Sequence, residues 1–303
     1  MNRIRQSSFL ALVATLSAST LLRGQGAPFG DDFLPAIRRA AALIPGEPAI
    51  SIRYVTPQPG LPTRLSSMVE GASADTILVV HPVFQVRFDR GWITVDAAMH
   101  KSLFGTANVA FSDAKYDSIQ VALRDARLCV ITHEHHDHIA GILRSRYLAQ
   151  VAAHTILTHA QIRHATDHPS NRQLTLDPAM SGRFLSIDYD PLMPIAPGVV
   201  LIKSPGHTPG SQIIYVRVAS GREVILAGDV AWNMTGIRSQ SHKPDASTRG
   251  FGGEDKPAGA RQLKWLNDVQ ASGITVIASH DRAWIDEAVQ RGILQPGFDL
   301  RNP

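Results

Sequence analysis

A run of metal-type side chains between a predicted strand and a predicted helix constrains this chain more than any other feature. Residues 133–138 read His-Glu-His-His-Asp-His. The apolar run 128–131 before them predicts a buried strand, and residues 139–143 predict the first turns of a helix. Open α/β sheets place their ligands at such strand ends. A divalent metal site is therefore expected, because buried imidazoles and carboxylates without a cation would repel one another or stay unpaired.

Composition and charge indicate a globular protein without a nucleic-acid surface. The chain is 44% hydrophobic and 18% charged. Its net charge of +4 includes three arginines in an N-terminal stretch without acids, and the remaining 27 basic and 26 acidic residues leave +1. No basic stripe with interleaved aromatics remains, so we expect no nucleic-acid partner. The single cysteine, Cys129, excludes an intrachain disulfide and is most simply a small buried residue, with a zinc-thiolate role as the weaker alternative.

The N-terminal residues 1–26 have the pattern of a secretory signal peptide. Arg3 and Arg5 precede an apolar run over 9–18, and small residues follow. The run is shorter than the ~20 residues that a membrane span needs. We therefore expect export to the periplasm or the medium with no stable membrane span after processing. An uncleaved anchor is the alternative.

Strands and helices alternate along most of the remaining chain. Hydrophobic periodicity predicts helices over 31–43, 116–126, 160–165, 260–272 and 283–290. The predicted strands are 50–55, 76–80, 83–88, 92–95, 128–131, 155–158, 183–187, 199–203, 213–218, 223–226 and 274–278. A proline-rich turn is predicted over 57–62, an insertion loop over 166–181, and a long surface loop that flanks the site over 235–259.

Several predicted strand ends carry metal-type residues, and such ends can converge in space. His133, His135 and His207 would complete one site, and Asp137, His138 and His280 a second, with Asp229 bridging both. Two metals ~3.5–4 Å apart can polarise a carbonyl or phosphoryl oxygen and generate hydroxide near neutral pH.

The motifs resemble the metallo-β-lactamase fold superfamily. The pattern His-x-His-x-Asp-His at 133–138 carries the resemblance, together with Gly-His-Thr-Pro-Gly at 206–210, Gly228-Asp229, Ser279-His280 and the strand-end Asp96. The resemblance implies an αββα four-layer sandwich of two mixed β-sheets flanked by helices, formed by 27–303 as a single domain. It also implies two divalent metal ions, usually zinc, although iron, manganese and cobalt suit the same ligands.

The resemblance also implies an activity. Enzymes that hydrolyse β-lactams generally lack a bridging aspartate where Asp229 stands, whereas lactonases, glyoxalase II-like thioesterases and phosphodiesterases have one. Residues 81–96 and the interval of 22 positions from His207 to Asp229 look like the N-acyl-homoserine lactone hydrolases. Trp232 departs from the tyrosine usual in those lactonases. The implied reaction is attack of a hydroxide between the metals on a small-molecule ester or lactone, with Asp137 holding or relaying the proton.

Four other functions are compatible with parts of the pattern. A glyoxalase II-like thioesterase or a β-lactamase would keep the same fold, and an exported metal-binding protein would keep it without catalysis. A di-iron oxygen- or nitric-oxide-reducing protein would favour glutamate at His135 and carry a flavin domain, for which the chain has no room.

The remaining histidines and Glu134 are not expected to be metal ligands. His136 and Glu134 stand at positions that the signature leaves free, and Glu134 is expected to face outward or to support a ligand. Trp232 and Phe251 are expected either to line a substrate pocket or simply to pack. Surface or core positions, and not ligand roles, are also expected for the histidines that lie in no metal-type cluster, which are His81, His100, His154, His159, His164, His168 and His242.

Overall fold

A computed structural model describes residues 28–104 and 109–303. The predicted signal peptide over 1–26 lies outside these residues. In chain order the α-helices are α1 (Phe33–Ala41), α2 (Asp113–Asp125), α3 (His136–Leu143), α4 (Leu148–Ala152), α5 (His159–Asp167), α6 (Pro178–Ser181), α7 (Met234–Ser239), α8 (Asp245–Thr248), α9 (Lys256–Ala271) and α10 (Arg282–Gln290). None of the helices in the described residues is long and apolar enough to cross a membrane.

Fourteen strands occur in the described residues. They are β1 (Ser51–Val55), β2 (Leu61–Arg64), β3 (Thr76–Val79), β4 (Val83–Arg87), β5 (Trp92–Val95), β6 (Leu128–Val130), β7 (Thr155–Thr158), β8 (Leu185–Ile187), β9 (Leu192–Ala196), β10 (Val199–Lys203), β11 (Gln212–Arg217), β12 (Glu223–Leu226), β13 (Thr275–Ile277) and β14 (Leu294–Pro296).

The strands form two mixed sheets and one small ribbon. The larger sheet has the order β14-β1-β4-β5-β6-β7-β8, and the smaller has the order β13-β12-β11-β10-β9. In the larger sheet β4 runs antiparallel to its two neighbours, β1 and β5, whereas β5 to β8 run parallel to one another. The smaller sheet is antiparallel except for the β12–β13 pair. Strands β2 and β3 pair separately.

Alternate residues of the central strands point into two different cores. Ile93, Val130 and Ile156 belong to the core between the sheets, which also contains Leu201 and Ile214 of the smaller sheet. Their neighbours Trp92, Cys129 and Leu157 face the opposite side and pack with α2 and α3. Helices α1 and α9 contribute buried side chains to the first core. The four layers confirm the expected αββα sandwich. Because successive side chains of a strand point to opposite faces, the larger sheet can pack against a layer on each side.

The structure differs from the predicted elements in segments that lack regular hydrophobic periodicity. The proline turn over 57–62 was predicted too broadly, because β2 begins within it at Leu61. Strand β9 was missed since it contains Pro194 at the edge of its sheet, where the ladder does not need the proline nitrogen. The prediction of a surface loop over 235–259 was wrong in part, because α7 and α8 form there and bury Ile237 and Lys243.

Candidate metal centre

The structure brings all seven predicted ligand residues together in two adjacent groups. Within each group the donor atoms lie within 4.8 Å of one another. We call them the three-histidine group and the mixed group. The three-histidine group is His133, His135 and His207, and the mixed group is Asp137, His138, Asp229 and His280.

Asp229 lies between the two groups. Its Oδ2 is 3.6 Å from Nε2 of His133 and 3.4 Å from Nε2 of His207. Its Oδ1 is 3.3 Å from Nε2 of His138 and 3.2 Å from Nε2 of His280. One carboxylate therefore presents an oxygen to each group, which is the arrangement that a bridging ligand requires.

The spacing of the donor atoms fits bound metal ions. A tetrahedral ion with bonds of about 2.0–2.2 Å holds its donors about 3.3–3.6 Å apart. Oδ2 of Asp137 lies 3.4 Å from Nε2 of His138 and 3.5 Å from Nε2 of His280. In the three-histidine group, Nε2 of His207 lies 3.0 Å from Nδ1 of His135, closer than that range and within hydrogen-bond distance.

Several of these donor atoms have no hydrogen-bond partner although they are fully buried. They include Nε2 of His133, Nε2 of His138 and Oδ1 of Asp229. Buried polar atoms are rarely left without a partner, because the lost hydration is not replaced. A cation in each group would satisfy these atoms, so the residues present fit a pair of metal ions.

Asp96 at the end of β5 orients His138. Its Oδ2 accepts a hydrogen bond from Nδ1 of His138 at 2.8 Å, and its Oδ1 accepts one from the backbone N–H of Thr132 at 2.7 Å. Asp96 has φ +64°, a left-handed conformation that aspartate tolerates better than most residues. The contact leaves Nε2 of His138 free to face the mixed group.

The other two distant histidines are held in the same way. Nδ1 of His280 donates to the backbone oxygen of Val80 at 2.7 Å. Nδ1 of His207 is hydrogen-bonded to Oε1 of Glu254. Partners of this kind fix the tautomer and orientation of a ligating imidazole. Glu254 could not be found from the sequence, because nothing in its polar segment shows that this glutamate turns inward.

Burial and neighbouring charges lower the pKa values of two histidines and two aspartates of the centre. Burial holds the pKa values of His133 and His135 well below the ordinary histidine value, and neighbouring imidazoles add to the effect. Burial opposes ionisation of Asp137 and Asp229, but nearby histidines outweigh it and hold both pKa values well below the usual range. The two carboxylates are therefore ionised, as metal ligands must be.

Glu134 and His164 support the loop that carries His207, a role that the sequence offered for Glu134 as one of two alternatives and not for His164. Glu134 is buried, and its Oε2 accepts a hydrogen bond from Thr208 at 3.0 Å. Its Oε1 lies 2.7 Å from Nδ1 of His164. The expectation that Glu134 faces outward was wrong, because the side chain is buried. The alternative expectation, that Glu134 supports a ligand, agrees with these contacts.

His81 lies beside the mixed group but outside it. Its Nε2 is 3.7 Å from Oδ2 of Asp137, and its ring packs edge-on against His280 with centroids 5.0 Å apart. Burial lowers the pKa of His81 to about 3, so the ring is neutral. Its proximity arises from the fold, since residue 81 follows β3 and no local motif marks it.

Two aromatic residues border the three-histidine group. The indole N–H of Trp232 donates to Oδ2 of Asp229 at 2.7 Å. The ring of Phe251 lies 5.1 Å from that of His135 and lines a cleft of about 470 Å³ together with His164 and His207. Phe251 therefore lines a cleft, and Trp232 holds the carboxylate of Asp229.

Comparisons with solved structures identify the fold. An N-acyl homoserine lactone hydrolase, solved with the product N-hexanoyl-L-homoserine at its catalytic metal centre, matches with a TM-score of 0.60 and 16% identity, covering 79% of this chain and 96% of that one. AidC, a dizinc quorum-quenching lactonase, matches with a TM-score of 0.51 and 14% identity over 77% and 89% of the two chains. The hydrolase AbOPH of the beta-lactamase superfamily matches with a TM-score of 0.51 and 15% identity over 77% and 85%.

The sequence itself is far from these neighbours. No protein-family model matches the chain, and no curated protein sequence does. The structural matches extend over more than three quarters of the chain. They establish that it has the metallo-β-lactamase fold, as its motifs indicate.

Proposed function

We propose that this chain, with the metallo-β-lactamase fold as its scaffold, is a binuclear metal-dependent hydrolase that cleaves an ester-type bond. The observation that carries the proposal is the convergence of seven metal-type side chains, several of whose buried donor atoms lack a hydrogen-bond partner. A structural role alone would leave these atoms desolvated and unpaired, at a cost of roughly 1–3 kcal/mol each.

Each group of side chains would hold one ion. The three-histidine group would take the first, the mixed group the second, and Asp229 would contact both. When bound, such a pair supplies a Lewis acid for the carbonyl oxygen and lowers the pKa of water. We propose zinc as the metal, since histidine nitrogen and carboxylate oxygen are its usual ligands and AidC is a dizinc protein.

Asp137 is proposed as the catalytic carboxylate. Its side chain is 18% exposed, compared with 3% for Asp229, so it lies on the side of the centre that solvent reaches. Its Oδ2 faces His138 and His280, which leaves Oδ1 to hold a proton from the attacking water. As an ionised carboxylate beside the proposed ions, Asp137 can accept that proton.

A lactone is the proposed substrate. Two of the structural neighbours are lactonases, and the carboxylate between the groups is present as in the lactonase pattern. Trp232 nevertheless uses its only polar hydrogen on Asp229, and indole has no oxygen to accept a proton. Trp232 therefore does not replace a substrate-assisting tyrosine hydroxyl, and the alkoxide must leave without that help.

A panel of substrates tests the proposed activity. Purified protein is first analysed for metals, with about two ions per chain expected. It is then assayed with N-acyl homoserine lactones, thioesters and β-lactams, with and without a chelator. We expect lactone turnover that the chelator abolishes. Full activity in metal-stripped protein would overturn the mechanism, and two bound ions without turnover would favour a metal-binding protein.

We further propose that the protein is exported, on the pattern of residues 1–26 alone. Expression of the full chain with N-terminal sequencing of the mature product tests this. A mature protein that begins at Met1 and stays in the cytoplasm would contradict it.

A further inference from the structure

Lys243 is a buried cation at the back of the candidate metal centre. It lies between α7 and α8, in the segment that the sequence predicts as a surface loop, yet it is only 4% exposed. Burying an ammonium group is costly unless it is paired and hydrogen-bonded. Its contacts therefore show what the group does in this position.

The first contact of Lys243 leads to the three-histidine group. Its Nζ lies 2.8 Å from Oε1 of Glu254, whose side chain is 7% exposed. The same oxygen is hydrogen-bonded to Nδ1 of His207. The backbone N–H of Asp255 also donates to the oxygen of Gly206 at 2.9 Å, so the chain around Glu254 is tied to the loop that carries His207.

The second contact leads to the carboxylate between the two groups. Nζ of Lys243 donates to the backbone oxygen of Asp229 and lies 3.3 Å from that of Val230. It also lies 5.3 Å from the ring centre of Trp232, within the range of a cation–π contact. Trp232 in turn donates to Oδ2 of Asp229.

We propose that Lys243 is a positioning residue that orients His207 through Glu254 and holds the backbone of Asp229. This positioning role rests on the proposed binuclear function. Lys243 itself supplies no donor atom to either group. The ammonium group of Lys243 ends on the same glutamate oxygen that holds Nδ1 of His207, so the two side chains are linked through one atom.

The role is asymmetric between the two groups. His138 and His280 are held by Asp96 and by the backbone of Val80, neither of which Lys243 contacts. Loss of Lys243 should therefore weaken the ion of the three-histidine group more than the ion of the mixed group. General damage to the fold would weaken both.

Metal titration of a Lys243→Met variant tests this asymmetry. Metal-free full-length protein is titrated with Zn²⁺ against a competing chelator, and with Co²⁺ to follow the spectrum of each site. Removal of an orienting partner usually lowers metal affinity by about 10–100-fold. We expect the affinity of the three-histidine group for Zn²⁺ to fall by this factor and that of the mixed group, which Lys243 reaches only through the backbone of Asp229, to fall less.

The double variant Lys243→Met/Glu254→Gln covers the case in which the single variant fails to fold, because it leaves no lone charge buried. If Lys243 acts through Glu254, the double variant should lose no more affinity at the three-histidine group than Glu254→Gln alone, a comparison that does not require Lys243→Met to fold. Lys256→Met is the matched control, since Lys256 pairs with Asp245 and Glu70 at the surface of the same region. We expect Lys256→Met to bind both ions as the wild type does.

Each outcome separates this inference from the proposed function. A wild type that binds no metal overturns the binuclear function and the role of Lys243 with it. Two ions bound equally by wild type and Lys243→Met overturn only the role of Lys243. Equal weakening of both sites, with a lowered melting temperature, shows a structural lysine and also overturns it.

Discussion

Asp96 and His138, 42 positions apart, are joined by a hydrogen bond of 2.8 Å between Oδ2 and Nδ1. Because Nδ1 carries the proton that Asp96 accepts, Nε2 of His138 presents its lone pair to the mixed group. The strand-end aspartate thus selects the tautomer of a predicted ligand without belonging to either group.

Asp96→Asn should disrupt this tautomer. If the amide oxygen keeps the bond from the Thr132 backbone, the amide NH₂ faces Nδ1 of His138 and moves the imidazole proton to Nε2. We expect metal affinity to fall about 10–100-fold, measured by Zn²⁺ competition. Asp188→Asn is the matched control, because Asp188 and His159 form an exposed pair with a similar distance of 2.7 Å. Unchanged affinity in Asp96→Asn would contradict this role.

Asp137→Asn and His207→Ala should both abolish hydrolysis of the substrate that the panel identifies. The first keeps the shape of the side chain but removes its charge and its capacity to accept a proton, and the second removes a ligand of the three-histidine group. Steady-state rates and bound metal are measured for each. His154→Ala is the control, because His154 bonds to the oxygen of Leu123, away from both groups. Near-normal rates in either variant would exclude the assigned roles.

Removal of metal should lower the melting temperature. Ions that bind only the folded state stabilise it by mass action, by about 4 kcal/mol at a concentration 1,000-fold above Kd. Thermal unfolding is measured after dialysis against a chelator and again after addition of Zn²⁺. We expect the melting temperature to fall and then to recover. A melting temperature that is the same in all three samples would show that the donor atoms hold no ion.

Gly141→Ala should destabilise the helix that begins at the cluster. A Cβ at Gly141 would lie 1.8 Å from the backbone oxygen of Ala97, so α3 would have to move away from the end of β5. We expect a loss of about 1–3 kcal/mol in urea unfolding. Gly182→Ala is the control, since its Cβ would meet only the oxygen of Pro178 at 3.6 Å. Equal stability of the two variants would refute the close approach.

Glu223→Gln should lower stability in a pH-dependent way. Glu223 on β12 accepts two hydrogen bonds from Arg38 on α1, at 2.8 and 2.7 Å. The Arg38 bonds hold the pKa of Glu223 below its ordinary value, although partial burial opposes them. The contribution is therefore present above the unfolded-state pKa and lost as the pH falls through the folded-state pKa. Urea unfolding of metal-free protein should show a deficit of ~0.2–1 kcal/mol at pH 7 that vanishes at acid pH.

The predicted ligands and the overall architecture could be read from the sequence because both are encoded locally. His133, His135, Asp137 and His138 follow one strand directly, and His207, Asp229 and His280 each follow another. Parallel and mixed sheets gather such strand ends at one edge. The alternation of buried residues likewise predicted most strands, and the comparisons confirm the fold.

The partners that orient those ligands were decided only by the tertiary structure. Glu254 meets His207 from 47 positions away, and Lys243 joins Glu254 to the backbone of Asp229. Their segment is polar and lacks periodicity, so it resembles an exposed loop until α7 and α8 pack it against the centre. Whether a charged side chain in such a segment faces water or a metal centre depends on long-range packing, which local sequence patterns do not encode.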